Sequence, residues 1–249
     1  MRCLEEHGIG LDVGVCKVPL VCQSDLFDLT VGRFDLRPDT SFGYKAAEAA
    51  LAGGNYRDGN FGAGCGASVG KWHGMDTCMK SGIGSYALQI GELKVGAIVA
   101  VNALGDIYDY RNGQKVAGLL TADRQHFLDT VEAMLANTTV VENKFTGNTT
   151  LGVIITNAAF DKTKLCKIAS MAHNGYARSI RPVHTSADGD SIYAVSTGNV
   201  SADYDIVGTL AADVMSEAIL RAVKECESAY GLMAAKDWND NFEEQSILH

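Results

Sequence analysis

The sequence has little proline and no long apolar run. Only 3 of its 249 residues are proline, whereas 27 are glycine and 47% are hydrophobic. Few prolines beside many small and apolar residues favour a layered α/β sandwich over a loop-rich module. No apolar stretch reaches the roughly 18–20 residues that a membrane-spanning helix requires, and no signal peptide is recognisable. The sequence therefore predicts no membrane partner and a cytoplasmic location.

Positive charge and paired cysteines are also lacking. The 21 lysines and arginines stand against 30 acidic residues, and the net charge of −9 predicts no nucleic-acid partner. The seven cysteines include no CxxC pair and are odd in number, which is typical of a reduced intracellular protein. A zinc site at Cys65, His73 and Cys78 is conceivable, but their spacing fits no compact metal motif. We therefore expect no metal and no cofactor.

Apolar periodicity divides the chain into alternating strands and helices. The N-terminal part contains two strand-like pieces, at 11–15 and 18–31, and a small-residue helix at 41–52 that two glycines close. Strands are predicted at 86–90, 95–102, 149–156 and 191–196, the first two as a hairpin around Gly91. Helices are predicted at 122–135 with Thr121 as N-cap, after the N-cap Asp161, and at 209–230. Strands bracketed by helices predict an α/β fold.

The most informative motif is Gly147-Asn148-Thr149-Thr150, which comes directly before an apolar strand. It places two hydroxyls at the mouth of a buried strand, where Thr149 can attack its own preceding peptide bond. After such cleavage, Thr149 is an N-terminal residue, and its α-amine, with a reference pKa of about 7.7–8.0, can act as its general base. The structural alternative is a turn whose β-branched residues enter a sheet.

Two further side chains follow elements that suit a reacting centre. The glycine-rich stretch 59–71 ends in Lys71 but lacks the spacing of a phosphate loop, since Trp72 follows the lysine. Its glycines permit close backbone approach, and desolvation can lower the pKa of a lysine at its end. Asn102 ends an apolar strand, where its amide can donate to an oxyanion or close a local turn.

The segment from His184 to Asp190 is dense in polar groups. Asp188 and Asp190 lie two residues apart, so an extended backbone directs both to one side, where they can orient an amine. The alternative is a simple Asp-Gly-Asp turn. A different catalytic arrangement also stays open: Thr149 or Ser186 as nucleophile, His184 as base and an aspartate to orient it, without chain cleavage.

These residues resemble the P1 family of self-processing aminopeptidases. The resemblance is carried by 151–158, by 167–190 with its histidines and Asp-Gly-Asp, by 59–71, and by 35–50 with Phe42-Gly-Tyr44. The family includes L-aminopeptidase/D-esterases, β-peptidyl aminopeptidases and nylon-oligomer hydrolases. It implies a four-layer αββα sandwich related to N-terminal-nucleophile hydrolases, formed here as one catalytic domain over 1–249.

The resemblance also implies roles for individual residues. Cleavage between Asn148 and Thr149 would give two associated chains, 1–148 and 149–249, with the threonine as nucleophile and its α-amine as base. Substrates would be peptides or amides with a free amine, hydrolysed through an acyl-enzyme by a homo-oligomer that needs no cofactor.

The remaining site residues come from the same resemblance. Lys71 and Asn102 would lie around the scissile carbonyl, with Asn102 as the oxyanion donor. Asp188 and Asp190 would hold the new amine, and Tyr44 would lie on the oxyanion side.

One departure from the family bears on activity. Family members carry a further segment before the helix in which this chain begins, so we expect an N-terminally truncated copy with unpaired sheet edges. Two alternatives to the hydrolase therefore remain: an acyltransferase of the ornithine acetyltransferase type, which passes the acyl group to an amine, and a non-catalytic truncated remnant.

Overall fold

The computed structural model describes residues 1–139 and 147–238. The chain divides into two compact units, Met1–Asp25 with Arg33–Arg57, and Leu26–Gly32 with Asp58–His249. Within the described residues, no helix has the length and apolar character needed to cross a bilayer.

The first unit is built from two helices and a short hairpin. Its elements are α1 (Arg2–Glu6), β1 (Leu11–Asp12), β2 (Lys17–Val18) and α2 (Thr40–Ala52). The predicted helix at 41–52 is confirmed, with Asp39 as N-cap and Gly53, at a φ of 71°, after its end. The predicted strands at 11–15 and 18–31 are wrong over most of their length, because β1 and β2 pair only with each other over two residues.

The second unit contains most of the regular structure. Its elements are β3 (Ser68–Val69), β4 (Met79–Lys80), β5 (Ile83–Ile90), β6 (Leu93–Asn102), β7 (Asp106–Tyr108), β8 (Lys115–Ala117), α3 (Thr130–Leu135), β9 (Thr149–Ala158), α4 (Lys162–Ser179), β10 (Ile180–Arg181), β11 (Ser191–Val200) and α5 (Tyr204–Lys224). The central sheet has the order β11-β9-β6-β5, and smaller sheets are formed by β10-β7-β8 and by β3-β4.

The central sheet and two helices form the core of the second unit. β9 runs antiparallel to β6 and parallel to β11, so it lies in the sheet interior. Alternate residues of β9, beginning with Thr150, are buried, and α4 and α5 pack against each other and against the sheet. Gly152 permits close packing of the two helices on β9, since a Cβ there would lie 2.7 Å from the side chains of Met215 and Tyr176. The predicted α/β class and the hairpin β5–β6 are confirmed.

One predicted helix is mostly absent. The helix expected at 122–135 is only α3, because Leu120 pairs with Phe127 across a turn and Asp129, not Thr121, caps the helix. The buried carboxylate of Asp106 accepts hydrogen bonds from the amide and hydroxyl of Thr130, which fixes where the helix begins. This is a long-range contact that local periodicity does not encode.

Candidate active site

Three backbone and side-chain groups meet at the peptide bond between Asn148 and Thr149. The hydroxyl of Thr149 lies 2.5 Å from the carbonyl oxygen of Asn148 and donates to it. The backbone N–H of Gly189 donates to the same oxygen over 2.8 Å. A nucleophile beside a carbonyl whose oxygen is held by an N–H donor is the arrangement that acyl transfer requires.

The sheet and the following loop bring these groups together. Thr149 begins β9 directly opposite Asn102 at the end of β6. Asn148 forms an isolated parallel bridge with Asp188, and its side-chain amide donates to the carbonyl of Ala187 over 3.2 Å. Gly189 has no side chain to intrude: a Cβ there would lie 3.0 Å from the Thr149 hydroxyl, tighter than ordinary van der Waals contact.

Lys71 and Asn102 are in direct contact, whereas their placement around the scissile carbonyl stays a prediction. The Lys71 ammonium donates to the carbonyl oxygen of Asn102 over 3.0 Å and to its side-chain Oδ1 over 2.8 Å. Burial of the amine lowers the pKa of Lys71 to about 7, and the negative charges of Asp188, Asp190 and nearby groups oppose this only in part. Lys71 can therefore hold or release a proton near neutral pH.

The side-chain amide of Asn102 has its own partners in the intact chain. Its Nδ2 donates to the carbonyl of Phe27 over 3.0 Å and to that of Gly147, the residue before Asn148, over 3.2 Å. At the Asn148 carbonyl itself, the donors are Gly189 and Thr149. The role of Asn102 as oxyanion donor stays a prediction. It requires that the side-chain amide of Asn102 release its hydrogen bond to Gly147.

Asp188 and Asp190 flank the site but hold different groups. Asp188 accepts from the N–H of Leu104 over 3.2 Å and from the N–H and hydroxyl of Thr185, and burial raises its pKa. Asp190, only 3% exposed, accepts from the N–H of Thr150 over 2.8 Å. Asp188 thus lies beside Asn148 and Asp190 beside Thr150, and the expected contact of both carboxylates with a new Thr149 amine stays a prediction.

His184 does not assemble the alternative triad. Its Nδ1 lies 2.8 Å from Asp190 Oδ2, and its Nε2 lies 3.2 Å from Nδ1 of His173. Both ring nitrogens thus face partners other than the hydroxyls of Thr149 and Ser186. The aspartate is in place to orient the imidazole, but the imidazole is not directed at either candidate nucleophile.

Tyr44 lies in the first unit, whereas the other five predicted catalytic residues and Asn148 lie in the second. Its hydroxyl donates to the carboxylate of Glu6, and this hydrogen bond raises the pKa of Tyr44 to about 12. Its predicted place on the oxyanion side stays a prediction.

A cavity of about 360 Å³ adjoins the site. Its wall includes Asn148 and Lys71 from the site and Asp28, which is the only carboxylate among the described residues that line it. The rest of the wall is largely apolar, with Phe27, Val31, Trp72, Met75 and Leu104. Such a lining, with few polar groups, is typical of small-molecule sites.

Two residues of the site were not predicted from the sequence. Gly189 contributes a backbone N–H, which carries no side-chain signature, although its place between two aspartates marked the loop. His173 was noted only as part of the resembling segment. The pairing of His173 with His184, eleven residues later, depends on α4 folding back along β11.

Similar proteins support the resemblance. The profile of peptidase family S58 matches residues 6–236. An uncharacterized aminopeptidase of Mycobacterium leprae is 35% identical over 93% of this chain and 68% of its own length. A 6-aminohexanoate-oligomer endohydrolase of Paenarthrobacter ureafaciens is 31% identical over 85% of this chain and 63% of its own.

A solved structure shares the fold. The L-aminopeptidase D-Ala-esterase/amidase of Ochrobactrum anthropi, described as a variant of the Ntn hydrolase fold, superposes with a TM-score of 0.52 at 19% identity. The alignment covers 84% of this chain and 60% of that protein, so this chain spans less than two thirds of its length. The chain thus belongs to peptidase family S58, with the Ntn hydrolase fold that its sequence resemblance implied.

Proposed function

We propose that this chain is a self-processing amide hydrolase that cleaves itself between Asn148 and Thr149 and then uses Thr149 as its nucleophile. The observation that carries the proposal is the contact of 2.5 Å between the Thr149 hydroxyl and the Asn148 carbonyl oxygen, which Gly189 also holds. Of the two adjacent hydroxyls, that of Thr150 is fully buried and has no hydrogen-bond partner among the described residues. Thr149 is therefore the better nucleophile.

In self-cleavage, the Thr149 oxygen bonds to the carbonyl carbon of Asn148 and loses its proton to the neutral amine of Lys71. The Gly189 N–H stabilises the negative oxygen that forms. The C–N bond then breaks, its nitrogen takes up a proton and becomes the Thr149 α-amine, and an ester remains. Water hydrolyses the ester to give the chains 1–148 and 149–249.

Turnover repeats the same chemistry on an external amide. The free α-amine of Thr149 accepts the hydroxyl proton while the threonine oxygen bonds to the substrate carbonyl carbon. The substrate C–N bond then breaks, and the leaving amine takes up that proton. Water hydrolyses the resulting ester, which releases the acid and restores the Thr149 hydroxyl. The substrate carbonyl occupies the position that the Asn148 carbonyl held, because nucleophile and N–H donor are the same. Asp188 and Asp190 hold the region of the new amine, and Asn102, freed from Gly147, can donate to the oxyanion.

The substrate proposed is a peptide or amide whose acyl part carries a free amine. The relatives' names, aminopeptidase and 6-aminohexanoate-oligomer endohydrolase, describe hydrolysis of amides of amino acids. In this chain, the cavity beside Asn148 offers apolar walls for a carbon chain and the Asp28 carboxylate for an ammonium group. The homo-oligomeric assembly, the cytoplasmic location and the place of Tyr44 remain predictions of the same proposal.

The two alternatives gain no support. The names of the relatives are those of hydrolases, and no contact in the described residues favours an amine acceptor over water. The Thr149 hydroxyl and the Gly189 N–H both contact the Asn148 carbonyl, and a non-catalytic remnant would not require this arrangement.

The proposal is tested by hydrolysis of 6-aminohexanoyl p-nitroanilide by the purified chain. We expect release of p-nitroaniline by the wild type and by Thr150→Val, a variant that replaces the unpaired hydroxyl with a methyl group. Thr149→Ala should release none. Turnover by Thr149→Ala, or the absence of turnover in the wild type, would refute the assignment.

A further inference from the structure

A chain of hydrogen bonds runs from the surface to the start of β9. His173 Nδ1 lies 3.2 Å from His184 Nε2, and His184 Nδ1 lies 2.8 Å from Asp190 Oδ2. The other oxygen of Asp190 accepts from the N–H of Thr150 over 2.8 Å. The imidazole of His184 is 38% exposed, whereas the side chain of Asp190 is 3% exposed. These hydrogen bonds therefore link solvent to a buried carboxylate. None of the steps proposed above uses either histidine.

The buried carboxylate of Asp190 depends on these hydrogen bonds. A carboxylate of such low exposure is costly unless hydrogen bonds satisfy it. Asp190 receives the ring N–H and the backbone N–H of His184, the latter over 3.3 Å, in addition to the N–H of Thr150. Loss of the imidazole would leave one oxygen with a single long contact, and the carboxylate could then turn away from Thr150.

The same group of side chains fixes both sides of Thr150. Asp190 holds its N–H, and the buried Tyr176 donates from its hydroxyl to its carbonyl oxygen over 3.2 Å. Tyr176 also packs edge-on against His173, with ring centroids 5.3 Å apart, and lies 5.8 Å from the ring of His184. The peptide immediately after the nucleophile is therefore held by residues that contact the histidine pair.

The contact between the histidines admits only one bridging proton. When Nδ1 of His184 donates to Asp190 in the neutral ring, its Nε2 is an acceptor and His173 must donate. If His184 alone gains a second proton, it can donate to both neighbours. If both rings are charged, two N–H groups point at each other across 3.2 Å. Among the described residues, the titratable groups that face the two rings are Asp190 and Tyr176. Burial, together with the nearby His184, lowers the pKa of His173.

We propose that His184 and His173 are positioning residues, which hold Asp190 on the Thr150 amide and thereby fix the Thr149 nucleophile. Double protonation places two like charges across the 3.2 Å contact, and we expect their repulsion to draw His184 away from Asp190 despite the opposite charge of that carboxylate. Acid then reduces the turnover rate. The inference rests on the proposed role of Thr149, but it concerns residues that need not touch the substrate.

The test compares variants chosen for the backbone at position 184. His184 has a φ of 56°, a conformation that asparagine and glycine tolerate. His184→Asn can place an amide N–H near the position of Nδ1 but cannot titrate, whereas His184→Gly removes the donor. His173→Gln leaves the bond to Asp190 intact and removes the second titrating ring. His126→Asn, at a turn outside the site, is the matched control.

Log kcat/KM is measured from pH 4.5 to 9 on the cleaved enzymes. On the acid side, we expect the plot of log kcat/KM against pH to be steeper for the wild type and His126→Asn than for His184→Asn and His173→Gln. The difference in slope should be one, which corresponds to one additional proton. His184→Asn should keep at least half of the rate at pH 8, and His184→Gly should lose more than tenfold. Wild-type slopes in both His184→Asn and His173→Gln, or wild-type turnover by His184→Gly, would overturn the inference.

These outcomes are separable from failure of the proposed function. A wild type that neither cleaves itself nor turns over substrate refutes the role of Thr149, and intact mass reports this directly. If His184→Gly does not fold, His173→Gln still decides the inference, because it changes only a partly buried ring on α4.

Discussion

Gly189 and Asn148 are joined by a backbone hydrogen bond of 2.8 Å, in which the glycine N–H donates to the carbonyl that precedes Thr149. The bond shows that the loop between β10 and β11 contacts the N-terminal end of β9. It also places a fixed dipole at the oxygen where negative charge would develop during attack. The Asn148 carbonyl oxygen thus accepts hydrogen bonds both from the Gly189 backbone and from the Thr149 hydroxyl.

Gly189→Ala should slow self-cleavage strongly. The added methyl group would lie 3.0 Å from the Thr149 hydroxyl, so either the hydroxyl or the loop must move, and the N–H donor moves with it. Loss of one such donor costs roughly 100-fold or more in rate. The measurement is the fraction of uncleaved chain over time. Gly96→Ala, which would bring a methyl 3.2 Å from Ala87 elsewhere in the sheet, is the control and should cleave like the wild type.

Self-cleavage should depend on pH through Lys71. Burial lowers the pKa of Lys71 to about 7, so below that pH the ammonium predominates and cannot accept the threonine proton. The slow Gly189→Ala precursor makes the reaction measurable in vitro. Its rate should rise about tenfold per pH unit below 7, as for one essential deprotonation, and level off above. In the double variant with Lys71→Arg, which stays charged, this rise should disappear; an unchanged profile would exclude Lys71 as the base.

Asp188→Asn should slow self-cleavage or turnover by about tenfold. The carboxylate accepts from Leu104 and from two groups of Thr185, and an amide NH₂ in place of one oxygen would face those donors. The measurement is the cleaved fraction together with kcat on the anilide. Full activity in both assays would remove Asp188 from the site.

Asp28→Asn should raise KM for substrates with a free amine by about tenfold, because a charge-assisted contact is lost. The acetylated 6-aminohexanoyl anilide, which has no charged amine, should lose nothing further in the variant. Glu92→Gln removes one exposed negative charge at the hairpin turn and controls for net charge. Equal effects of Asp28→Asn on both substrates would show that Asp28 does not bind the amine.

Much of the second unit was predictable from local pattern. The strand β9, the hairpin β5–β6 and the Asp161 cap of α4 follow from apolar runs, a Gly-Glu turn and one capping residue. The pairing of β9 with β6, which brings Thr149 opposite Asn102, was not predicted from the sequence. The predicted placement of Lys71 and Asn102 around the scissile carbonyl came from family resemblance and not from spacing, and it stays a prediction.

The remainder depends on groups that a sequence does not mark. Gly189 acts through its N–H, so only the fold reveals it. The shortened α3 follows from the buried Asp106, whose carboxylate accepts hydrogen bonds from Thr130, 24 residues later in the sequence. The ends of α5 also differ: the helix starts at Tyr204, capped by Asp203, and stops at Lys224, although periodicity placed it over 209–230.

The most direct test of the central claim is an intact-mass spectrum of the purified chain under denaturing conditions. The account predicts two species from the wild type, one ending at Asn148 and one beginning at Thr149, and a single full-length species from Thr149→Ala. Thr150→Val should give the same two species as the wild type. A single 249-residue species from the wild type, or cleavage of Thr149→Ala at the same bond, would contradict the account.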